Sequence, residues 1–212
     1  MSSRYPHLYL LGLTGNIGCG KSTVGRMLAE RGAAVRDADQ VTREVMRPGD
    51  PAYHAIVDAF GPTIRTAPGG PIDRTALGRI VFADQAKLRQ LEQIVHPATR
   101  AQILRWLDDE ETRAASSNRR PVAVLDAVKL IESGYPALCD AVWVVVCDPE
   151  EQVRRLVESR GMLPADARQR IAAQPPQAAK VATADIVIDN SGTPAETEAQ
   201  VEAAWRAIQA RL

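Results

Sequence analysis

The chain has 212 residues, of which 45% are hydrophobic and 25% charged, and its formal net charge is +0. This length and composition suit one globular domain with elaborations. The balanced charge disfavours a protein built to coat nucleic acid or an anionic membrane. No window approaches the roughly 20 apolar residues of a membrane span, and three scattered cysteines indicate neither a disulfide framework nor a metal cluster. We therefore expect a cytoplasmic protein.

An apolar run at residues 8–13 leads directly into the sequence GNIGCGKS at residues 15–22. This sequence matches the phosphate-binding loop motif G-x-x-x-x-G-K-S/T at every position. Glycines let consecutive backbone N–H groups turn towards a phosphate chain, and a helix N-terminus after the loop also favours anions. Apolar spacing predicts that helix from residue 22 to a stop at Gly32.

The motif gives its polar residues distinct roles. Lys21 brings positive charge to the β- and γ-phosphates, and the Ser22 hydroxyl is placed to ligate a magnesium ion that bridges them. Cys19 lies inside the loop. We interpret it as a small loop residue and not as a nucleophile, because no histidine or second cysteine is nearby in the sequence.

Two acidic residues, Asp37 and Asp39, follow a short strand predicted at residues 33–36. Acidic groups at the carboxyl end of a parallel strand lie at the crevice where such folds bind ligands. This pair is therefore the best candidate for chemistry beyond the loop. Asp39 is equally well interpreted as the cap of a helix predicted at residues 40–46, and one carboxylate can serve both purposes.

Residues 47–119 are predicted to form a helical insertion between the second and third strands. Its helices are expected at residues 50–60, 74–82, 85–95 and 98–107. The pair His96-Pro97 is expected to separate the last two, with His96 in a turn or in contact with substrate. Phosphate-loop kinases commonly build the pocket for the phosphoryl acceptor from a helical insertion at this place.

Three further strands are predicted at residues 121–126, 141–147 and 185–190. The first of them ends at Asp126, which is placed to hold magnesium, often through water, or to contact substrate. Helices after residue 148, broken at 161–164, carry several arginines and predict a lid over ATP, with a solvated basic helix face as the alternative. Strands that alternate with helices after a phosphate loop predict a three-layer α/β fold.

The chain resembles the dephospho-CoA kinase family over nearly its whole length. The resemblance rests on an ordered set of short motifs: LTGNIGCGKS at 13–22, DAD at 37–39, Arg43-Glu44, Pro48-Gly49, IVHP at 94–97, Gln152, Arg155-Leu156, Arg160, Arg170-Ile171, Gln174, Lys180, Ala184-Asp185 and IDN at 188–190. It implies a phosphate-loop NTPase fold of the nucleotide-kinase type, with a five-stranded parallel sheet usually ordered 2-3-1-4-5. It also implies transfer of the ATP γ-phosphoryl group to the 3′-hydroxyl of the dephospho-CoA ribose, the last step of coenzyme A synthesis.

The resemblance also implies roles for single residues. Asp39 would orient or deprotonate the acceptor hydroxyl, and Lys21, Arg155 and Arg160 would act on the transferring phosphoryl group. Magnesium would be held by Ser22 through ATP, with Asp126 as a second candidate. The implied ATP-binding set is Thr14, Gly15, Asn16, Ile17, Gly18, Cys19, Gly20, Lys21, Ser22 and Thr23 around the phosphates and Asn190 near the adenine.

The domain organisation that follows is a nucleotide-binding core at residues 1–46 and 120–212, a lid at about 150–175 within it, and the acceptor-binding insertion at 47–119. The expected small molecules are ATP, Mg²⁺ and dephospho-CoA. We expect no nucleic acid or membrane partner, and a monomer or small homo-oligomer.

One segment departs from the family pattern. Where the family usually has D-x-P-L-L-F-E after the third strand, this chain has DAVKLIE at residues 126–132, which introduces Val128 and Lys129. Lys129 either adds a phosphate contact, signals a different acceptor or points to solvent. The alternative function is therefore another small-molecule or nucleotide kinase. A nucleotide-binding regulatory module is a more distant alternative, because the chain has no N-K-x-D segment and its arginine-rich lid suits transfer.

Overall fold

A computed structural model describes residues 4–212. The described chain contains, in order, β1 (Tyr9–Thr14), α1 (Lys21–Glu30), β2 (Ala34–Asp37), α2 (Ala38–Val45), α3 (Pro51–Phe60), α4 (Arg74–Ala83), α5 (Gln85–Ala114), β3 (Val122–Asp126), β4 (Ala141–Val146), α6 (Pro149–Arg160), α7 (Pro164–Ala172), α8 (Gln177–Val181), β5 (Ile186–Asp189) and α9 (Pro194–Gln209). None of the helices in this part of the chain is long and apolar enough to cross a membrane.

The chain divides into two compact units, one made of Met1–Asp37 and Asp108–Leu212 and the other of Ala38–Leu107. The sequence predicted the helical insertion at residues 47–119. In the structure the helical unit begins earlier, because α2 belongs to it, and it also ends earlier.

The first unit is built on a five-stranded parallel sheet with the order β2-β3-β1-β4-β5. The predicted fold class and strand order are confirmed. β1 lies at the centre and all six of its residues are buried, as expected for a parallel strand with both faces covered. On one face, Leu11, Leu13 and Trp143 pack against apolar residues of α1 and α9.

Strand register brings the ends of three strands to one edge of this sheet. Leu13 is opposite Asp126 in the β1–β3 pair, and Asp37 is opposite Asp126 in the β2–β3 pair. The loop that follows β1 therefore leaves the sheet beside two strand-terminal aspartates. This carboxyl edge is where open α/β sheets bind their ligands.

The helical unit has a core of its own, which includes Val45, Tyr53, Ile56 and Leu77. Two of its helices begin at a capping aspartate. The Asp50 carboxylate accepts from the Ala52 N–H at 2.9 Å, and Asp73 accepts from the first-turn N–H groups of α4. Each carboxylate satisfies donors that a helix start leaves without a partner.

The prediction of two helices separated by His96-Pro97 is wrong. α5 is one helix that contains Pro97, and His96 is exposed on it and forms no turn. A proline inside a helix costs about 3 kcal/mol. Buried side chains nevertheless recur every four residues through this point, at Val95, Thr99, Ile103 and Leu107, and burial of this continuous stripe offsets the cost.

Candidate nucleotide and acceptor sites

The phosphate loop connects β1 to α1 and requires glycine at the positions that its motif prescribes. Gly20 precedes α1 with a φ of +88°, in the left-handed region. A Cβ at Gly20 would lie 2.1 Å from Asn190 Nδ2, and one at Gly15 would lie 2.3 Å from the Val145 carbonyl oxygen. Any side chain at either position would push the loop away from the sheet edge.

Two side chains that are distant from the loop in the sequence, Arg155 and Asn190, hold the loop backbone. Asn190 Nδ2 donates to the Cys19 carbonyl at 2.8 Å, and Asn190 Oδ1 accepts from the Thr197 hydroxyl at 2.8 Å. Arg155 donates to the carbonyl of Asn190 at 2.7 Å and to that of Cys19 at 3.4 Å, while its Nε pairs with Glu151. Asn190 and Arg155 therefore position the loop. Their predicted contacts with adenine and phosphate stay predictions.

The segment after α7 gives the loop a second support. The Ile17 N–H donates to Gln174 Oε1 at 2.7 Å, and Asn16 Nδ2 donates to the Pro175 carbonyl at 3.0 Å. The sequence analysis did not foresee these contacts. Its only signal was the presence of Gln174 among the motifs of the resemblance.

Lys21 and Asp126 meet at the carboxyl edge of the sheet. Lys21 Nζ lies 4.0 Å from Asp126 Oδ1, and both side chains are only 13% exposed. Ser22 is exposed in the first turn of α1. Hydroxyl and carboxylate oxygens suit Mg²⁺. Within residues 4–212 no group of three or more His, Cys, Asp or Glu could hold a metal.

The turn after β3, where the sequence departs from the family pattern, is held by two donors. The Thr14 hydroxyl donates to the Val128 carbonyl at 3.1 Å, and Lys180 Nζ donates to the same oxygen at 2.7 Å. Lys180 also pairs with Glu132 at 3.2 Å and is only 3% exposed. Lys129 is exposed. The predicted contact between Thr14 and phosphate stays a prediction.

The predicted lid helices α6 and α7 pack together through Val153, Leu156 and Ala167. Much of their positive charge is neutralised locally, since Arg154 pairs with Glu151 and Glu158. Arg160 ends α6 and is exposed. Of the two predicted phosphoryl-binding arginines, Arg160 is therefore the exposed one and Arg155 the one that holds the loop.

The helical unit contains a cavity rich in arginine. Asp39 lies inside the first turn of α2, which begins at Ala38, and not before the helix as a cap would. The cavity has a volume of about 390 Å³ and is lined by Asp39, Thr42, Arg43, Met46, Arg47, Pro71, Ile72 and Arg74. Three guanidinium groups against one carboxylate suit an anionic ligand. The sequence analysis had singled out Asp39 and Arg43 but missed Arg47 and Arg74.

A 2-3-1-4-5 parallel sheet, with a complete phosphate loop whose lysine faces a strand-terminal aspartate, defines a phosphate-loop kinase. Enzymes of this class transfer a phosphoryl group from ATP. A family model described as dephospho-CoA kinase matches residues 9–196. The chain belongs to the dephospho-CoA kinase family.

Relatives agree with this assignment, and solved structures share the fold. A dephospho-CoA kinase of Symbiobacterium thermophilum is 50% identical over 198 residues, which cover 93% of this chain and 80% of the relative. One of Geobacter sulfurreducens is 48% identical over 198 residues, with coverage of 92% and 96%. A Thermus thermophilus crystal structure matches with a TM-score of 0.77 at 32% identity, covering 97% of this chain and 98% of that one. Dephospho-CoA kinase from Campylobacter jejuni, at 22% identity and a TM-score of 0.64, shares the fold over 95% of this chain and 98% of its own.

Proposed function

We propose that the protein transfers the γ-phosphoryl group of ATP to the 3′-hydroxyl of the dephospho-CoA ribose and so gives CoA and ADP in the last step of coenzyme A synthesis. The observation that carries this proposal is the family match over residues 9–196. This range includes both the phosphate loop and every residue that lines the arginine-rich cavity.

In this proposal the phosphate loop binds ATP. Backbone N–H groups of residues 15–22 bind the phosphate chain, and Lys21 places its charge on the β- and γ-phosphates. Ser22 and Asp126 would hold Mg²⁺, which when bound neutralises charge on these phosphates. Arg160, exposed at the end of α6, is the lid residue that we assign to the transferring group.

The cavity of the helical unit binds the phosphoryl acceptor, dephospho-CoA. Dephospho-CoA carries a diphosphate, and Arg43, Arg47 and Arg74 offer the guanidinium groups that suit it. Asp39 lines the same cavity and accepts a hydrogen bond or a proton from the acceptor hydroxyl. Because the transition state of phosphoryl transfer is loose, we assign most of the effect of Asp39 to orientation of that hydroxyl.

One chain carries both the loop and the cavity, so we propose that a single copy suffices for activity. All three cysteines are free, which suits a reducing compartment such as the cytoplasm.

An acceptor panel tests the function. ADP release from ATP and Mg²⁺ is measured with dephospho-CoA, adenosine, nucleoside monophosphates, pantothenate or no acceptor. We expect strong stimulation by dephospho-CoA alone, with a product that mass spectrometry and ³¹P NMR identify as the 3′-phosphate. A response only to another acceptor would refute the assigned substrate. ADP release that no acceptor changes would refute phosphoryl transfer itself.

A further inference from the structure

A short strap between α7 and α8, residues 174–176, lies against the first half of the phosphate loop. Gln174 Oε1 accepts the Ile17 N–H at 2.7 Å, and the Pro175 carbonyl accepts from Asn16 Nδ2 at 3.0 Å. The strap therefore holds two consecutive loop residues, one by its main chain and the other by its side chain. Both partners come from outside the loop, 157 and 159 positions away in the sequence.

The loop needs such contacts because it is rich in glycine. Three of its first six residues, at positions 15–20, are glycines, which adopt either sign of φ at little cost. A loop of this composition has several backbone conformations of similar energy, and only some of them direct its N–H groups towards one phosphate chain. Contacts from outside the loop select among these conformations.

The strap is a rigid support. The rings of Pro175 and Pro176 fix φ at both residues, and each proline also restricts the residue before it. The two ends of the strap are held as well. The Gln174 N–H donates to the Ile171 carbonyl at 3.1 Å, and Lys180 of α8, which follows the strap, donates to the turn after β3. Because the strap is already ordered, it loses little conformational entropy when it holds the loop.

Ile17 is the loop residue on which these contacts converge. Its side chain packs against the apolar cluster of α6 and α7 formed by Val153, Leu156 and Ala167. Its N–H donates to Gln174, which is half-buried. If that acceptor were removed, the N–H would remain beside the apolar cluster without a partner, and an unmade hydrogen bond of this kind is costly. The loop would then favour backbone conformations in which the Ile17 N–H reaches water.

We propose that Gln174 is a positioning residue for ATP, which keeps the phosphate loop in its phosphate-binding conformation through the Ile17 N–H. This inference rests on the proposed function only for the assignment of the loop as the ATP site. A loop that adopts the binding conformation for only part of the time binds ATP more weakly by that fraction. Saturating ATP selects the binding conformation again, so the loss of Gln174 should raise the KM for ATP and leave kcat nearly unchanged.

The variant Gln174→Leu tests this role, because it removes the acceptor and keeps a side chain of similar size. We expect the Kd of a fluorescent ATP analogue and the KM for ATP to rise at least about tenfold, whereas kcat with dephospho-CoA changes less than about threefold. The Kd of adenosine, which has no phosphates, is measured by displacement of the analogue and should be the same as in the wild type. Binding of the analogue needs no acceptor, so a failure here is distinct from a failure of the proposed reaction.

Two further variants sharpen the test. Gln169→Leu, at an exposed position of α7, should bind ATP as the wild type does. Gln174→Glu keeps an oxygen acceptor and, at a salt concentration that screens its added charge, should bind the analogue more tightly than Gln174→Leu. Urea denaturation without nucleotide establishes that each variant is folded under the binding conditions. The proposal would be overturned by unchanged ATP affinity in Gln174→Leu, by an equal loss of adenosine affinity, by a fall in kcat at constant KM for ATP, or by equal binding in Gln174→Glu and Gln174→Leu.

Discussion

The phosphate loop and the arginine-rich cavity solve the binding of phosphate groups in opposite ways. The loop is largely buried, and its backbone is held by side chains such as Asn190 and Gln174 from distant parts of the chain. The charged lining of the cavity is exposed, and Arg43 and Arg47 reach it from α2 and the turn directly after it. Changes at the loop should therefore alter its shape and chemistry together, whereas changes in the cavity should act through one charge at a time.

The largest effect is expected for Lys21→Ala. Lys21 is mostly buried next to Asp126. Its ammonium group supplies the positive charge of the loop that stays close to the phosphoryl group during transfer. We expect turnover with dephospho-CoA to fall about 10³-fold, at the upper end for loss of one such donor. Steady-state ADP release measures this loss. The exposed Lys87 provides the control Lys87→Ala, and a loss below about tenfold in Lys21→Ala would contradict the assigned role.

Asp39→Asn should come next. Asparagine keeps the size of the side chain but accepts no proton, so we expect turnover to fall about 10²-fold while ATP affinity is retained. Turnover and binding of a fluorescent ATP analogue are measured in parallel. Asp58→Asn, an exposed position on α3, is the matched control. Near-normal turnover in Asp39→Asn would contradict a catalytic role for Asp39. Asp39 would then be only a residue that lines the cavity.

Lys180→Met tests how strongly the Lys180 side chain stabilises the turn after β3. Lys180 is 3% exposed and donates to the Val128 carbonyl and to Glu132. Its loss should lower the free energy of unfolding by about 2 kcal/mol, as expected for a buried charged donor. Urea denaturation measures the change. Lys129→Met, at an exposed position on the same turn, should stay within about 0.5 kcal/mol of the wild type, and equal effects of the two variants would refute the distinction between them.

The same contrast explains what the sequence could and could not reveal. Local patterns predicted the five strands and the loop, because an apolar run or a glycine spacing determines each of these within a few residues. The local rule for Pro97 failed, because a buried stripe spaced by four residues continues through α5. The rule for proline takes account only of the backbone N–H donor that the helix loses. The buried stripe of α5 depends instead on packing throughout the helical unit.

Contacts between distant residues lay beyond the sequence patterns altogether. The bond from Asn190 to the Cys19 carbonyl exists only because β5 ends at the edge of the sheet from which the loop leaves. Arg74 joins Arg43 and Arg47 through the packing of the helical unit. Residue type alone shows that these side chains are polar, but it does not predict which residues they contact.

The smallest effect is expected for Arg47→Met, which removes one exposed charge from the cavity and keeps an apolar stem of similar length. We expect the KM for dephospho-CoA to rise about fivefold to tenfold, which corresponds to about 1 kcal/mol for one exposed ion pair. The kcat and the KM for ATP should be unchanged. Arg79→Met removes an exposed arginine of α4 that does not line the cavity and should leave all three parameters as they are.

Salt dependence separates a charge effect from a change of shape. If Arg47 acts by attracting the diphosphate, the difference in KM between the wild type and Arg47→Met should shrink as ionic strength rises, because exposed charges are screened beyond about 10 Å at 0.1 M salt. A difference that persists at high salt would mean that the side chain shapes the cavity. A fall in kcat at constant KM would instead move Arg47 from acceptor binding to the stabilisation of the transition state.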